Sequence, residues 1–588
     1  MRHAPRTTLL TFLILIALLT TLSTVTASQI AYRFGEYAPA GDMLYMETSS
    51  IESVIEQIKE FYRGLRPDTG ENEILMLTAA VTQKLGFNPL DSGGLRSFGI
   101  DPKGPIAVTI EDIESFGSKK NVAQNQGPEK DWAAYIPAAD SLKLYQSFHV
   151  LIKRGLEKKF SQTPAPEGII TEISRNRLLH HKGAGFFFAR GDRFCVFANS
   201  RTRALAAIGK SPAPLSRSPH HLRFRQLTDS RYTGSDVIMA YCLNRKGMDS
   251  FSFLKNFSGG LNAARGNTAA TQMYGRLNDE INQHVLAEGG MFSFSRKKAS
   301  MRSDAAYKEG YLSDRTKILP GLLSSPYHGL SGDSFGKKPA MYGRIRVNLS
   351  GIMELAKGII PDFNESFGEA SRQIKGKAGV DIIHDCINKM DGNFAILLDH
   401  FPETAQAGLN QRWSFSFSAG YGKENSPEIK GFFESIANII NEENGNTTLL
   451  KEQHRDGILW SITSRKKAGG YNTFPDNQTP IIKETNYLYL GPGELIYSPE
   501  RENFDRLLKS RSRKTVAGRL MNVPASREQN TNILFYMDME ALNRYVQNTP
   551  LKFLMGNAAP YLQNMESARI IFEISGNNII SESSLLLK

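Results

Sequence analysis

A short β-branched or aromatic strand, a polar turn with a capping residue and an amphipathic helix recur along this chain, and that recurrence restricts the fold more than anything else in the sequence. The first copy runs Met43-Leu44-Tyr45-Met46, then Ser49-Ser50, then Ile51, Val54, Ile55, Ile58, Phe61, Tyr62 and Leu65. Those apolar positions lie three and four residues apart, along one side of a helix that the spacing predicts to begin near Ser50. Ser49 and Glu52 have the spacing of a capping box, in which hydroxyl and carboxylate each satisfy an amide at the helix start. The pattern returns three times before residue 245 and starts over after Ala340. Pairing the landmarks in order matches Ile51 with Leu349, Ser141 with Ser426, Ser200 with Ser498, Val237 with Ile533 and Ser295 with Ser575, at offsets of 298, 285, 298, 296 and 280 residues.

Five colinear matches at nearly constant spacing point to duplication of a module of roughly 290 residues. The expected fold class is α+β: two related modules of mainly antiparallel sheet with amphipathic helices packed on it, spanning 28–330 and 331–588. Their boundary is expected in Leu319–Pro339, where Pro320, Gly321, Pro326, Gly329, Gly332 and Gly336 interrupt helix and strand alike. Alternation such as Trp413-Ser414-Phe415-Ser416-Phe417 predicts sheets with one wet or helix-free face.

Ahead of the first copy, Arg2 and Arg6 precede an uncharged apolar run from Leu9 to Leu22, and Val25-Thr26-Ala27 supplies small residues before Ser28. That layout is a secretory leader, and cleavage is expected after Ala27. The alternative is an uncleaved anchor, since the uncharged stretch Thr7–Ala27 holds 21 residues, close to the roughly 20 that span a bilayer. With no second stretch of that length, the body is expected to be water-facing and to work in the periplasm or at the cell surface. A formal charge of +12 and a sequence pI near 9.3 favour anionic neighbours. The body's three cysteines, Cys195, Cys242 and Cys386, lie in a compartment where disulfides persist, and a Cys195–Cys242 bridge is one arrangement their strand-like settings allow.

Tyr37-Ala38-Pro39-Ala40-Gly41-Asp42-Met43-Leu44-Tyr45-Met46-Glu47 resembles the opening strand of exported bacterial proteins of the domain of unknown function 3352 type. Val523-Pro524-Ala525 leading to Ile533–Asp538, and Gly99–Val108, are similar to segments of the same group. Gly41 is extra, and the stretch from Pro524 to Ile533 is longer than usual. The resemblance implies an envelope or periplasmic location and transfers no catalytic residue.

No G-x-S-x-G elbow, phosphate-cradling G-x-x-x-x-G-K-[ST] loop, H-E-x-x-H zinc helix or G-x-G-x-x-G turn is present, and no cofactor or metal is expected. His180-His181 and His220-His221, read as strand neighbours, point to opposite faces and are expected at the surface. Asp391-Gly392-Asn393 lacks the flanking carboxylates of a calcium loop. Asp381, His384 and Asp385 have the spacing of one helical side, which suits either an exposed ion pair or acid–base work in an exported hydrolase. Two basic runs stand out: Arg217, Arg223 and Arg225, and Lys509, Arg511, Arg513 and Lys514. Guanidinium forks suit phosphates and carboxylates, so both runs are candidate anion-binding sites. The leading expectation is a non-catalytic envelope binding or assembly module whose partner is an anionic lipid, a polysaccharide or an envelope protein, with nucleic acid disfavoured. A hydrolase with an unfamiliar site and a structural subunit of an envelope complex are the alternatives.

Overall fold

A computed structural model describes residues 33–111, 132–159, 170–173, 178–181, 186–229, 237–244, 276–277, 279–323, 338–353, 363–401, 415–443, 447–467, 481–509, 515–549 and 559–588. The leader lies outside them. The chain divides into two compact units, Met1–Asn262 with Asn282–Lys308 and Leu587–Lys588, and Ala263–Ile281 with Glu309–Leu586. The fold is α+β, and the sheet pairing is antiparallel.

In the first unit the elements are β1 (Leu44–Thr48), α1 (Ile51–Leu65), α2 (Gly70–Leu85), α3 (Ser92–Phe98), β2 (Ala107–Ile110), β3 (Trp132–Pro137), α4 (Ser141–Lys159), β4 (Ile170–Ile173), β5 (Leu178–His181), β6 (Phe186–Arg190), β7 (Phe194–Ala198), α5 (Arg201–Ala207), α6 (Pro219–Asp229), β8 (Val237–Leu243), β9 (Val285–Ser295) and β10 (Lys298–Tyr307). Their spatial order is β4-β5-β6-β7-β3-β2-β1-β8-β9-β10. The second unit holds α7 (Ile318–Leu323), β11 (Met341–Arg346), α8 (Phe363–Ala378), β12 (Met390–Leu398), β13 (Phe415–Tyr421), α9 (Ser426–Glu443), β14 (Thr447–His454), β15 (Gly457–Lys467), β16 (Ile481–Gly491), β17 (Glu494–Ser498), α10 (Arg501–Lys509), α11 (Val516–Leu520), α12 (Ala525–Glu528), β18 (Thr531–Asp538), α13 (Met539–Gln547), β19 (Met565–Ser575) and β20 (Asn578–Leu587). Their order is β14-β15-β16-β17-β13-β12-β11-β18-β19-β20. Counted from its own first strand, each unit runs 4-5-6-7-3-2-1-8-9-10.

The correspondence extends to single residues. Helices α4 and α9 start 285 residues apart, at Ser141 and Ser426, and the β9–β10 and β19–β20 hairpins are offset by 280 at both strands. Strands β7 and β17 and the helices after them start 300 apart, so Ser200 stands opposite Glu500, two residues from the sequence pairing. A rung of neighbours crosses the first sheet as Glu47, Ala107, Tyr135 and Val196. The matching rung of the second is Arg344, Ala395, Ser418 and Ile496. Tyr135 in the first unit is matched by Ser418, whereas Ala204 is matched by Phe504, so a large side chain fills the core from the sheet in one unit and from the helix in the other.

Both faces of each central sheet are covered, which corrects the expected wet face. In the first unit, Tyr45, Ala107, Tyr135 and Val196 pack under α5, and Trp132, Ile136, Phe188 and Phe197 pack under α1, α3 and α4. In the second unit, α10 and α11 close one face and α9 the other. β13 shows the consequence: Ser416 and Ser418 are buried, at 4% and 1% exposure, while Phe415 and Phe417 are half-buried. Ser416 Oγ donates to Ser498 Oγ at 3.1 Å, and the small hydroxyls leave room for Phe504. Alternation by itself separates two faces but does not say which is drier when both are packed.

Other local expectations shift in the same way. Helix α1 does begin after Ser50, but Ser50 Oγ is the cap, accepting from Ser53 N at 3.0 Å. Glu52 is not part of a box with Ser49 and instead accepts from Ser92 Oγ at 2.7 Å. Pro320 and Gly321 do not interrupt structure but lie inside α7; its first turn needs no proline amide, and the Glu280 carboxylate accepts from Ile318 N and Leu319 N at 2.9 and 3.1 Å.

All three cysteines are free. Cys195 and Cys242 face opposite sides of their sheet, in separate cores, so no disulfide can join them. Burial pushes both thiols far above their ordinary range and that of Cys386 up to about 11. A thiol reagent should label at most Cys386 in the native protein and all three after denaturation; rapid native labelling of Cys195 or Cys242 would contradict the burial.

Candidate functional site

Of the basic candidates, Arg217 closes the turn Leu215–Arg217 and is exposed, Arg223 is exposed on α6, and Arg225 on the same helix is half-buried. All three belong to the connection from β7 to β8. Lys509 is the last residue of α10, in the equivalent connection from β17 to β18; Arg511, Arg513 and Lys514 lie outside the described residues.

Asp381, His384 and Asp385 do come together, but as a helix start. Asp381 Oδ1 accepts from Ile383 N and His384 N at 3.0 and 3.2 Å, and Asp385 Oδ2 accepts from Asp381 N at 2.7 Å. Asp385 Oδ1 sits 2.8 Å from His384 Nδ1 on an imidazole that is exposed. Backbone amides, led by that of His384 for Asp381 and that of Asp381 for Asp385, hold both carboxyls below the usual carboxylate range. Carboxylates committed to capping are poor proton acceptors. Asp391 Oδ1 likewise accepts from Asn393 N at 2.9 Å, a local turn.

The histidine pairs divide. His180 and His181 are strand neighbours on β5. His220 and His221, expected on a strand at the surface, lie instead on α6, where His221 is fully buried. His220 Nδ1 lies 2.9 Å from the Leu286 carbonyl oxygen and Nε2 contacts that of Leu243, tying α6 to β8 and β9. His221 stands edge-on to Tyr45, ring centroids 6.3 Å apart.

Tyr45 opens the buried polar cluster that the sequence did not reveal. Alternation along β1 puts Tyr45 and Glu47 on one face, both closed to solvent. The Tyr45 hydroxyl donates to Glu47 Oε2, and the same carboxylate accepts from Arg33 N and Phe34 N at 2.9 and 3.1 Å. Burial raises the Glu47 carboxyl despite these donors. They hold a strap, residues 33–40, across the inner face: Phe34 stacks on Tyr135 at 5.1 Å, and Leu215 N donates to the Ala38 carbonyl at 2.8 Å. Beside it, Arg203 pairs with Asp42 and donates to Thr109 Oγ1 at 2.6 Å; burial lifts the Asp42 carboxyl against the pull of Arg203. An acid two residues after a core tyrosine on a strand was the available signal. With Glu47 sealed from solvent, the cluster positions the strap rather than offering a group to substrate.

In the second unit the matching station holds a charge of opposite sign. Arg344, 1% exposed, donates through Nη1 to Glu528 Oε1 at 2.7 Å and through Nη2 to the Glu528 carbonyl at 3.2 Å. Thr515 Oγ1 donates to Glu528 Oε2 at 2.7 Å. Here α12 is clamped where the first unit clamps its strap.

Among the described residues no group of three or more histidine, cysteine, aspartate or glutamate side chains is placed to hold a metal, and no helix is long and apolar enough to cross a membrane. No family model, curated protein or solved structure matches the chain.

Proposed function

We propose that the chain works after export as a non-catalytic binding or assembly protein of the envelope, built by duplication of one ten-strand unit, with anion-binding surfaces on its β7–β8 and β17–β18 connections. The observation that carries this reading is the shared strand order of the two units, with a basic run at the same connection in each. Offsets of 285 at α4 and α9, 280 at the two C-terminal hairpins and 300 at β7 and β17 support common descent, as does the equivalent rung across each sheet. The capping role of Asp381 and Asp385 favours binding over hydrolysis.

The mature protein should bind anionic envelope fragments, and binding should weaken as salt rises from about 0.05 to 0.5 M because surface charges are screened over a few ångströms at the higher value. Turnover of an ester, peptide or glycoside that is lost in His384→Ala would overturn the reading. So would protein recovered from the cytosol with Met1 intact.

A further inference from the structure

The layer covering the inner face of the first unit is strongly basic. From Asn199 to the end of α6 the chain holds Arg201, Arg203, Lys210, Arg217, Arg223 and Arg225 against one acidic residue, Asp229 at the end of the helix. Arg203 turns inward to Asp42, and Lys210 pairs with Glu36 at 2.6 Å. Arg201, Arg217 and Arg223 are exposed. Two large apolar side chains are exposed on the same helices, Leu205 at 36% on α5 and Leu222 at 46% on α6. Ala204, Ala207, Leu215 and His221 fill the opposite, sheet-facing side of this layer, so that among the described residues its outer side faces solvent.

The strap joins this layer. Ser211 N donates to the Glu36 carbonyl at 3.0 Å, Ser216 N to that of Gly35 at 2.9 Å, and Ala40 N to that of Ala213 at 2.9 Å. Arg33, the first described residue, therefore enters the fold within the basic layer.

We propose that the outer surface of this layer docks on the anionic leaflet of a lipid membrane, a deepening that rests on the proposed role as an exported binding protein. Guanidinium groups match phosphate headgroups bidentately, and the exposed leucines interspersed with them along the chain would enter the acyl boundary, as on a surface-bound amphipathic helix. An anionic polysaccharide would engage the arginines and leave the leucines without a partner. A second apolar patch, Leu75, Met76 and Leu77 on α2 at 59%, 73% and 53% exposure, follows Glu71 and Glu73 on its helix and belongs with α1 on the other face of the sheet. It serves as the internal control.

The experiment is co-sedimentation of the mature protein with vesicles of mixed phosphatidylglycerol and phosphatidylcholine, and with vesicles of phosphatidylcholine alone, at about 0.1 M salt. Binding is expected only to the anionic vesicles. Arg217→Glu with Arg223→Glu should weaken it about tenfold or more, Leu205→Ser with Leu222→Ser several-fold at constant charge, and Leu75→Ser with Met76→Ser not at all. All six positions are exposed, and each variant is checked against the parent by thermal unfolding. The proposal is overturned by equal binding to neutral vesicles, by indifference to the arginine or leucine changes, or by loss of binding in the α2 variant. Salt-sensitive binding to soluble envelope polysaccharide without vesicle binding overturns this assignment alone and leaves the broader reading standing.

Discussion

Arg344→Ala will destabilise the second unit by about 3–5 kcal/mol, the cost of leaving a buried charge without its partner. The removed guanidinium holds both the carboxylate and the carbonyl of Glu528, and Glu528 is itself only 4% exposed. Glu528→Ala should cost a similar amount, since Arg344 then sits in the core with its charge uncompensated. The double change Arg344→Met with Glu528→Leu should recover most of the loss, because apolar side chains of comparable volume avoid desolvating either ion. Denaturant melts give the totals, and hydrogen exchange in β11 and β18 assigns them to this unit. A loss below about 1 kcal/mol for either single change would show the pair to be solvated and the clamp on α12 to be unimportant.

Acidification from pH 7 to 4 will weaken the first unit through His221, by about 3 kcal/mol at the end of that range. Burial first, then the charges of Arg225 and His220, push the imidazole down to about 4. The unfolded chain takes up this proton near pH 6.5 and the folded protein only near 4, so the contribution is whole above about 6.5 and is lost as pH falls. Glu47 and Asp42 act in the other direction. Burial raises both carboxyls, so the folded form holds their protons more tightly, and the stability they contribute is present at low pH and lost as pH rises. His220, lowered by burial, and the carboxyls of Glu36, Glu71, Glu73, Asp381 and Asp385, held below their ordinary range, lose stability on acidification alongside His221, and His221→Gln removes the His221 contribution alone. Urea melts of the variant at pH 7, 6, 5 and 4 should show an acid limb shallower than the parent's, the difference reaching about 3 kcal/mol at pH 4. An acid limb unchanged from the parent would exclude His221 as its source.

Both predictions turn on groups that were hard to see in the sequence, and the reasons differ. Glu47 was visible as an acid on a strand with a tyrosine two residues before it, but its neutralising partners are backbone amides of Arg33 and Phe34, which carry no side-chain signature. His221 looked like a surface strand residue because Pro219 to Leu222 has too few apolar positions to show a helical period, and its burial comes from Tyr45, well over a hundred residues away. Arg344 carries no signal in the sequence, because its partner Glu528 lies 184 residues away. The spacing of Asp381, His384 and Asp385 did identify three groups that meet, yet whether such a set caps a helix or moves protons depends on where the amides point.

What the sequence alone determined is the succession of elements: where α4 and α9 start, where the β9–β10 and β19–β20 hairpins turn, and that the chain mixes helix with antiparallel strand. These follow from local propensities and periodicities, which act over a few residues and are written into them directly. Which face of β13 is buried, which helix fills the core beside Tyr135 or Ser418, and which segment neutralises the charge on each central strand were decided only in three dimensions. Those outcomes depend on packing volume and desolvation between residues far apart in the chain, and no local pattern encodes the partner.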